Sequence, residues 1–319
     1  MNVINNFLKR ILEMKNFNKE LPKGFEKPTE LPVDKDQACD WQKKNKSWWE
    51  SHPMRYDWNT EIGYKEFSKE FFNEIDNRFF SNSMDYLPFK KVPFEALIDF
   101  ENLKTKDVLE IGVGNGSHAS LLAKHSKSFT GIDLTEYAVK STSTRFKEFG
   151  LPGTIKRMDA ESLEFENETF DFVWSWGVIH HSSNTRKILE EINRVLKPGG
   201  ETTIMVYYRS LWSYYFVNGF IHGVLMGKLF KTHSLHGLNQ NLTDGAIARY
   251  YSIREWEKFV NDIFTVKSIK VYGAKPEMFP IPAGKMKNQI MNFVPSAFTR
   301  FLTNNCKQGT FLVSTLKKP

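Results

Sequence analysis

Three glycines and several acidic residues stand where they could contact a bound ligand. The most distinctive stretch is residues 107–116, Asp-Val-Leu-Glu-Ile-Gly-Val-Gly-Asn-Gly, in which an apolar run leads into glycines at alternate positions. Such a run is typical of a strand buried on both faces. Ser117 and the apolar residues after it predict a helix. A glycine turn between a strand and a helix lets a ligand approach the backbone near the positive end of the helix.

The spacing of glycines and acids discriminates between ligands. A dinucleotide fingerprint, G-x-G-x-x-G, would place the third glycine at 117, but the third glycine is Gly116. Glu110 lies two residues before the first glycine. Asp133 lies about 20 residues after the glycine turn, where an acid can accept both hydroxyls of a ribose. Asp159 ends the next expected strand, where it could accept the exocyclic amine of adenine. Together these residues favour a nucleoside ligand over a purely structural turn.

The elements that must position these residues alternate regularly between strand and helix. Strands are expected at 107–111, 129–133, 154–158, 170–175 and 202–207, with helix caps at Thr135 and Asn184. A helix at 252–264 and strands at 265–272 and 310–316 follow. This order predicts an α/β fold with a doubly wound, Rossmann-like, seven-stranded sheet of five parallel strands plus a C-terminal β-hairpin. Ligands of such sheets lie at the carboxyl ends of the strands.

Five motifs in this order resemble class I S-adenosylmethionine (SAM) methyltransferases of the small-molecule methyltransferase superfamily. They are Val-Leu-Glu-Ile-Gly-Val-Gly-Asn-Gly (108–116), Gly-Ile-Asp-Leu-Thr (131–135), Asp-Ala-Glu (159–161), Phe-Asp-Phe-Val-Trp-Ser-Trp-Gly-Val-Ile-His-His (170–181) and Arg-Val-Leu-Lys-Pro-Gly-Gly (194–200). Outside them, Trp-Trp-Glu-Ser-His-Pro (48–53) and Tyr-Tyr-Ser (250–252) are similar to a bacterial subgroup whose acceptor is largely uncharacterised.

The resemblance implies a SAM-dependent methyltransferase, with S-adenosylhomocysteine as the product of the cofactor. It implies that Asp133 binds the ribose, that Asp159 and Ala160 hold the adenine, and that the glycines admit the methionine moiety. Ser175 and Trp176 would line the cofactor through their backbone. The expected cofactor-binding residues are Glu110, Gly112, Val113, Gly114, Gly116, Asp133, Leu134, Asp159, Ala160, Ser175 and Trp176.

Two adjacent histidines are the candidate catalytic residues. His180 and His181 follow the fourth strand, beside the expected position of the methyl group, and imidazole titrates near neutrality. Either could deprotonate an oxygen, nitrogen or carbon acceptor, whereas a thiol or selenol acceptor would need no base. The alternative is that they cap the following helix or pack in the core.

The rest of the chain is expected to surround the acceptor. Residues 1–100 form an N-terminal helical and aromatic wrap or lid, 101–207 the SAM-binding core and 208–250 a cap insertion. Residues 251–319 complete the core and include a basic insertion at 274–308. The candidate substrate pocket comprises Trp48, Trp49, Tyr207, Arg209 and Tyr250. The surplus of Lys and Arg in both insertions favours an anionic substrate or an anionic lipid surface.

Composition and motifs also exclude several classes. Cys39 and Cys306 are too few for a disulfide framework or a zinc pattern, so no metal and a cytoplasmic setting are expected. Ser175-Trp176-Gly177-Val178 stands where amino-methyltransferases of nucleic acids carry Asn/Asp-Pro-Pro-aromatic, which disfavours nucleic acid. Residues 1–20 predict an amphipathic helix for packing or for peripheral membrane contact, and 211–230 is too polar for a membrane span.

Four readings of function stay open. The first is methyl transfer to a small-molecule, anionic acceptor. The second is methyl transfer to a lipid or lipid-linked substrate at the membrane surface. The third is a nucleoside-binding regulatory pseudo-enzyme. The fourth, an NAD-dependent oxidoreductase, is disfavoured by Ser117 and Glu110. The acceptor atom and the oligomeric state do not follow from the sequence.

Overall fold

The computed structural model describes residues 21–57, 61–281 and 284–319. The amphipathic helix expected within residues 1–20 lies outside these ranges, as does Trp58 of the aromatic N-terminal segment. Three helices precede the first strand: α1 (Lys35–Ser51), α2 (Lys69–Tyr86) and α3 (Phe100–Leu103). Residues 87–99 form no helix, because Pro88 and Pro93 break the helical pattern after Tyr86.

The sheet confirms the predicted doubly wound α/β fold. Its strands are β1 (Asp107–Ile111), β2 (Ser128–Asp133), β3 (Thr154–Arg157), β4 (Phe170–Trp176), β5 (Leu196–Tyr208), β6 (Tyr250–Tyr251), β7 (Thr265–Tyr272) and β8 (Phe311–Lys317). The order is β3-β2-β1-β4-β5-β8-β7, and the two-residue β6 adds to β5 outside this path. The first five strands are parallel, while β8 runs antiparallel to both β5 and β7. The seven expected strands are all present.

Helices cover the sheet where the sequence signals place them. They are α4 (Ser117–His125), α5 (Glu136–Phe149), α6 (Thr185–Val195) and α9 (Ile253–Val260). Thr135 caps α5 by accepting the Ala138 N–H, and Asn184 caps α6 by accepting the Lys187 N–H. Ser252 and Glu255 form a reciprocal capping box at the start of α9.

The first five strands and their helices bury two apolar layers, one on each side of the sheet. One contains Ile188, Leu189 and Ile192 of α6 with Trp256 of α9. The other contains Phe94, Leu122 of α4 and Trp174 of β4. Because both faces are covered, the carboxyl ends of the parallel strands form the edge at which a ligand can reach polar groups.

Two irregular segments extend from the C-terminal half of the sheet. Residues 208–250 contain a π helix (Leu211–Leu225) and helices α7 (Leu229–Thr232) and α8 (Leu235–Leu242). Residues 274–308 contain a 3₁₀ turn (Lys275–Met278), α10 (Lys285–Phe293), α11 (Ser296–Arg300) and a π turn (Phe301–Asn305). Within the described ranges, no helix combines the length and apolar character needed to cross a bilayer.

Candidate active site

One cavity of about 530 Å³ lies at the carboxyl ends of β1, β2, β4 and β5. It brings together most of the residues singled out from the sequence: Trp49, Glu110, Gly112, Val113, Gly114, Asp133, Leu134, Asp159, Ala160, Trp176, His181 and Tyr207. It does not bring in Trp48, Gly116, Ser175, His180, Arg209 or Tyr250, which lie behind or beside the lining. The predicted acids and most of the predicted glycines at the strand ends therefore lie in one cavity. Of the predicted substrate-pocket residues, only Trp49 and Tyr207 line it.

The glycine turn is held open toward the cavity. At Gly112 (φ +83°), a side chain would meet the Val178 methyl groups at 2.2 Å, so this position must remain glycine. At Gly114 (φ +54°), an added Cβ would have no neighbour within 4 Å. The Gly114 N–H donates to the Asp133 carboxylate over 3.2 Å, which ties the turn to the end of β2. The space beside Gly114 is thus available for close approach of a ligand.

Glu110 carries a buried carboxylate at the end of β1 that is incompletely hydrogen-bonded. Its Oε2 has no hydrogen-bond partner within the described part of the chain. Burial, together with the nearby Asp133 charge, raises the pKa of Glu110 well above its usual range. A buried acid with an unsatisfied oxygen that lines a cavity fits a cationic or hydrogen-bond-donating group of a ligand.

Asp133 is anchored but not saturated. Its Oδ1 accepts the Thr135 N–H at 3.0 Å and the Thr135 hydroxyl at 2.8 Å, while among the described residues Oδ2 accepts only the Gly114 N–H. Burial raises the pKa of Asp133 even though these hydrogen bonds act in the opposite direction. Since a carboxylate oxygen can accept two hydrogen bonds, Oδ2 retains capacity for a ligand hydroxyl.

Asp159 is engaged by a residue that the sequence analysis missed. The Gln42 side-chain amide donates to both Asp159 oxygens at 2.9 Å, and Oδ1 also accepts the Glu161 N–H at 2.9 Å. The Gln42 carbonyl oxygen accepts the Ser183 N–H at 3.1 Å. Helix α1 thus reaches over the adenine side of the expected site. No motif marks Gln42, because its partner is 117 residues away.

The two histidines occupy different environments. His181 lines the cavity; its Nδ1 lies 2.6 Å from the Ile247 carbonyl oxygen and its ring lies edge-on to Trp49 at 4.9 Å. His180 is fully buried behind it. Burial, with His181 and Arg249 nearby, lowers the pKa of His180 well below its usual range, so its ring is neutral. Only His181 is positioned to contact a ligand.

The remaining sequence candidates have structural partners outside the lining. Arg209 binds both carboxylate oxygens of Glu255 at 2.6 Å, and Trp48 stacks on His52 at 4.3 Å. Tyr250 is buried and bonded to the Thr243 hydroxyl. Gly116 precedes the first turn of α4, and Ser175 is fully buried in β4. These placements differ from those expected because each residue faces away from the sheet edge that carries the acids.

The far side of the cavity is aromatic and acidic. Its apolar wall includes Tyr56, Phe79, Tyr86 and Phe311. The Tyr207 hydroxyl donates to Asp244 Oδ1 at 2.9 Å. Tyr207 belongs to β5 and Phe311 to β8, and we call this part of the cavity the aromatic compartment.

Glu277 adds a second carboxylate to this compartment, and the sequence analysis did not single it out. Its Oε1 accepts the Ala274 N–H at 3.1 Å, whereas Oε2 has no hydrogen-bond partner among the described residues. Burial raises the pKa of Glu277 to about 7, against the opposing effect of Thr310. No pattern around Glu277 marked it, because the insertion that carries it reads as a basic connection.

A buried network holds the loop after β4 in place. Glu161 Oε1 accepts the hydroxyls of Ser182 and Ser183 and the Asn184 N–H. The Arg249 guanidinium donates to the carbonyl oxygens of Glu30, Ser182 and Ser183. Because these bonds fix the segment directly after His181, they set where its imidazole lies.

Comparisons with known proteins match the central segment of the chain. Residues 109–204 match the family described as "Methyltransferase domain". A phthiotriol/phenolphthiotriol dimycocerosates methyltransferase of Mycobacterium tuberculosis is 40% identical over 102 residues, 31% of this chain and 37% of that protein. A sarcosine/dimethylglycine N-methyltransferase of Aphanothece halophytica is 41% identical over 98 residues, 30% of this chain and 35% of its own length. A phosphatidylethanolamine N-methyltransferase of Cereibacter sphaeroides is 32% identical over 106 residues, 33% of this chain and 52% of that enzyme.

Residues 109–204 therefore match a methyltransferase domain, the class that the five motifs resemble. The matches span between about a third and half of the length of these relatives. The family match ends at residue 204, before the two irregular segments, 208–250 and 274–308. The geometry fits the cofactor of this class, since an unsatisfied Glu110 oxygen, open space at Gly114 and residual capacity on Asp133 line one cavity.

Proposed function

We propose that this chain transfers a methyl group from SAM to an acceptor bound in the aromatic compartment of the same cavity. The observation that carries the proposal is the convergence of Glu110, Gly114 and Asp133 on one cavity, each with capacity for a ligand. When bound, SAM would supply an electrophilic methyl carbon: an in-line nucleophile of the acceptor would bond to that carbon while its bond to sulfur breaks, and S-adenosylhomocysteine would be the leaving group. The enzyme's main contribution is to hold the two reactants in near-attack geometry.

The cofactor-side residues act by binding and orienting. Asp133 accepts ribose hydroxyls through Oδ2, and Asp159 accepts the adenine amine in competition with Gln42. Glu110 attracts the cationic end of the ligand, and Gly112 and Gly114 let that end approach the backbone. Val113, Leu134, Ala160 and Trp176 supply apolar walls, while Gly116 and Ser175 support the turn and strand from behind.

His181 is the proposed general base for an acceptor that must lose a proton. The Ile247 carbonyl oxygen can only accept, so in the neutral ring Nδ1 would carry the proton and Nε2 the lone pair that a general base needs. This hydrogen bond supports the proposal because it favours that tautomer. His180 packs beneath it and acts only by positioning. Among the outer candidates, Trp49 and Tyr207 line the cavity, whereas Trp48, Arg209 and Tyr250 support it.

We further propose that the acceptor is neutral or cationic. The acids in the lining are Glu110, Asp133, Asp159, Asp244 and Glu277, and the described lining contains neither lysine nor arginine. An anion would be repelled by these carboxylates and would find no cationic partner. The described lining contains no cation that would support the anionic acceptor expected from the basic surplus of the sequence.

A lipid or lipid-linked acceptor is the second candidate. Large apolar side chains of the π helix, such as Phe216 and Phe220, are exposed, and the acceptor compartment is lined with aromatic rings. One matched relative is named a phosphatidylethanolamine N-methyltransferase, and phosphatidylethanolamine is a phospholipid. A regulatory, nucleoside-binding role without turnover is the alternative of another class.

Calorimetric titration of the full chain with SAM, S-adenosylhomocysteine and NAD tests the proposal. We expect both sulfur ligands to bind and NAD not to bind. Asp40→Asn, an exposed change on α1, is the matched control for Asp133→Asn. NAD binding without SAM binding would overturn the proposal. Transfer of a labelled methyl group from SAM to glycine-derived amines or phosphatidylethanolamine separates an enzyme from a regulatory protein, which would bind SAM without turnover.

A further inference from the structure

Exposed apolar side chains are concentrated in two segments of the chain. Of the fourteen large hydrophobic side chains that are exposed in the described residues, eleven fall within 211–230 and 286–301. Phe230 is 81% exposed and Phe293 is 88% exposed. Scattered single apolar residues need no explanation, but a concentration of this kind marks an interaction site. We call residues 211–242 and 284–308, which contain these two segments, the apolar-basic face.

The two segments touch each other beside the acceptor compartment. The Trp212 backbone N–H donates to Gln308 Oε1, and its indole N–H donates to the Glu277 carbonyl oxygen, both at 3.1 Å. Trp212 stacks on Phe216 at 5.1 Å, and Phe216 stacks on Phe220 at 5.8 Å. The π helix thus presents a ladder of rings that begins at the residue bonded to Glu277, which itself lines the cavity.

The charge on these segments has a single sign. Residues 211–242 and 284–308 contain Lys228, Lys231, Lys285, Lys287, Arg300 and Lys307, and no Asp or Glu. Lys228 is half-buried, and its Nζ has no hydrogen-bond partner within the described residues. Burial and the neighbouring Lys231 lower the pKa of Lys228. An anion at this position would offset both effects.

We propose that the apolar-basic face docks on an anionic lipid bilayer. The proposal rests on the proposed methyl transfer, because it brings the acceptor compartment to a membrane surface. An interfacial helix with aromatic and aliphatic side chains beside lysines combines the two attractions that bind such helices to anionic lipids. A symmetric dimer through this face would instead oppose six cations with six cations and no acids, so the charges favour a bilayer over a second copy.

Flotation of the full chain with vesicles tests this docking. Vesicles of phosphatidylcholine alone are compared with vesicles containing 30 mol% phosphatidylglycerol, at low and at high salt. We expect the protein to float with the anionic vesicles at low salt, to bind less at high salt, and to stay with the soluble fraction when only phosphatidylcholine is present. Salt should weaken the interaction because exposed charges are screened within about 10 Å at 0.1 M.

Two pairs of variants separate the apolar and the charged contributions. Phe216→Ser with Phe220→Ser should lower partitioning at least tenfold, because two exposed rings lose their burial in the interface. Lys231→Gln with Lys285→Gln, both at exposed positions, should lower it about 25-fold, since each cation near an anionic surface contributes roughly a fivefold factor. The matched controls are Val33→Ser with Met84→Ser, and Lys124→Gln with Lys147→Gln, which lie outside the face.

SAM calorimetry on every variant keeps this test independent of the methyltransferase proposal. A chain that binds SAM but does not float with anionic vesicles at low salt would overturn the docking and leave the catalytic proposal intact. Equal losses in the face variants and their controls would also overturn it. So would a dimer in solution that Phe216→Ser with Phe220→Ser dissociates, because the face would then bind a second copy. Flotation of a chain that does not bind SAM would support docking and contradict the catalytic proposal.

Discussion

The Asp133 carboxylate holds the surrounding backbone in place and can also accept a hydrogen bond from a ligand. It holds the Gly114 N–H and the Thr135 side chain, yet Oδ2 accepts only one hydrogen bond. Glu110 is the opposite case, because its Oε2 is buried without any partner in the described chain. A cationic group of a bound ligand would therefore give the buried Glu110 oxygen the partner that it lacks, and a ligand hydroxyl could donate a second hydrogen bond to Asp133 Oδ2.

Replacing Asp133 by Asn should weaken SAM binding about 5- to 150-fold, which corresponds to about 1–3 kcal/mol for hydrogen bonds to a charged group. Calorimetry measures the affinity, and thermal unfolding shows whether the turn at Gly114 survives. Asp40→Asn should bind SAM like the parent chain. An unchanged affinity in a folded Asp133→Asn protein would refute the ribose role.

Glu277 should make folding stability depend on pH. Its pKa in the fold is about 7, above its ordinary value of 4.5, so the folded chain keeps a proton that the unfolded chain releases in that window. Stability contributed by the neutral form is present below about pH 4.5 and is lost as pH rises through 7, by up to about 3 kcal/mol.

Urea unfolding at pH 5 and pH 8 measures this effect for the parent chain and for Glu277→Gln. The amide cannot ionise, so its loss of stability between the two pH values should be smaller. Glu148→Gln, an exposed change on α5, should behave like the parent. Identical pH dependence in Glu277→Gln and the parent would contradict the burial argument.

Among single residues, those that belong to local motifs could be identified from the sequence. Glu110, Gly112 and Asp133 were predictable because a strand, a turn and the next strand end lie close together in the chain. Gln42 and Glu277 were not predictable, because each reaches the cavity from a segment that carries no motif. Arg209 was expected at the pocket from its charge, but the Glu255 carboxylate binds it elsewhere.

Helix α1 is the element that closes the cofactor side of the cavity. Gln42, Asn45 and Trp49 all line the cavity from this helix. Farther along, the Glu50 carboxylate accepts the Glu136 and Tyr137 N–H groups at 2.9 Å, at the first turn of α5. An acid at a helix N-terminus is favourable, so Glu50 caps one helix from another.

Glu50→Ala should loosen α1 from α5. Removing two charge-assisted hydrogen bonds should weaken the packing of α1 on α5 by about 1–3 kcal/mol. Hydrogen exchange of the α1 amides should then accelerate, and SAM should dissociate faster because its cover is less firmly held. Lys43→Ala, an exposed change on the same helix, provides the control. Exchange in Glu50→Ala that matches the control would show that this cap does not hold the helix.

Elements with strong local signals were predictable, and irregular ones were not. The caps at Thr135, Asn184 and Ser252 begin the expected helices. Strand β5 begins at Leu196 instead of 202, because Leu196 pairs with Phe170 across an irregularity in the β4–β5 register. The π helix has no sequence signature, and its turns depend on contacts with α8 and with Gln308.

Arg249 joins distant parts of the molecule. Its buried guanidinium donates to the carbonyl oxygens of Glu30 in the N-terminal segment and of Ser182 and Ser183 after β4. It also lies over the rings of Phe25 and Trp41, at 5.3 and 5.8 Å. One side chain thus connects the N-terminal segment, the loop that carries His181 and the end of the 208–250 segment.

Arg249→Met should lower the free energy of unfolding by about 3–5 kcal/mol, because three buried carbonyl oxygens lose their donors. Chemical denaturation measures the loss. Arg254→Met, an exposed change at the start of α9, should change stability by less than about 0.5 kcal/mol. A loss in Arg249→Met no larger than in Arg254→Met would show that the guanidinium does not join these segments.

At the scale of the molecule, the domain order and the core were predictable from the alternation of strands and helices. The assembly of the outer segments was not, because Arg249 and Gln42 bond to residues far away in the chain. The four-part division at residues 100, 207 and 250 stays a prediction. Charge was also informative only after folding, because the described cavity lining contains five acids and neither lysine nor arginine.

In the proposed reaction, one cavity holds the methyl donor against Glu110 and Asp133 and the acceptor near Glu277. A crystal structure of the full chain with S-adenosylhomocysteine tests it most directly. We predict ribose hydroxyls on Asp133, adenine beside Asp159 and Gln42, and the sulfur facing the aromatic compartment that contains Glu277. A ligand bound elsewhere, or bound in this cavity without contact to Asp133, would contradict the account.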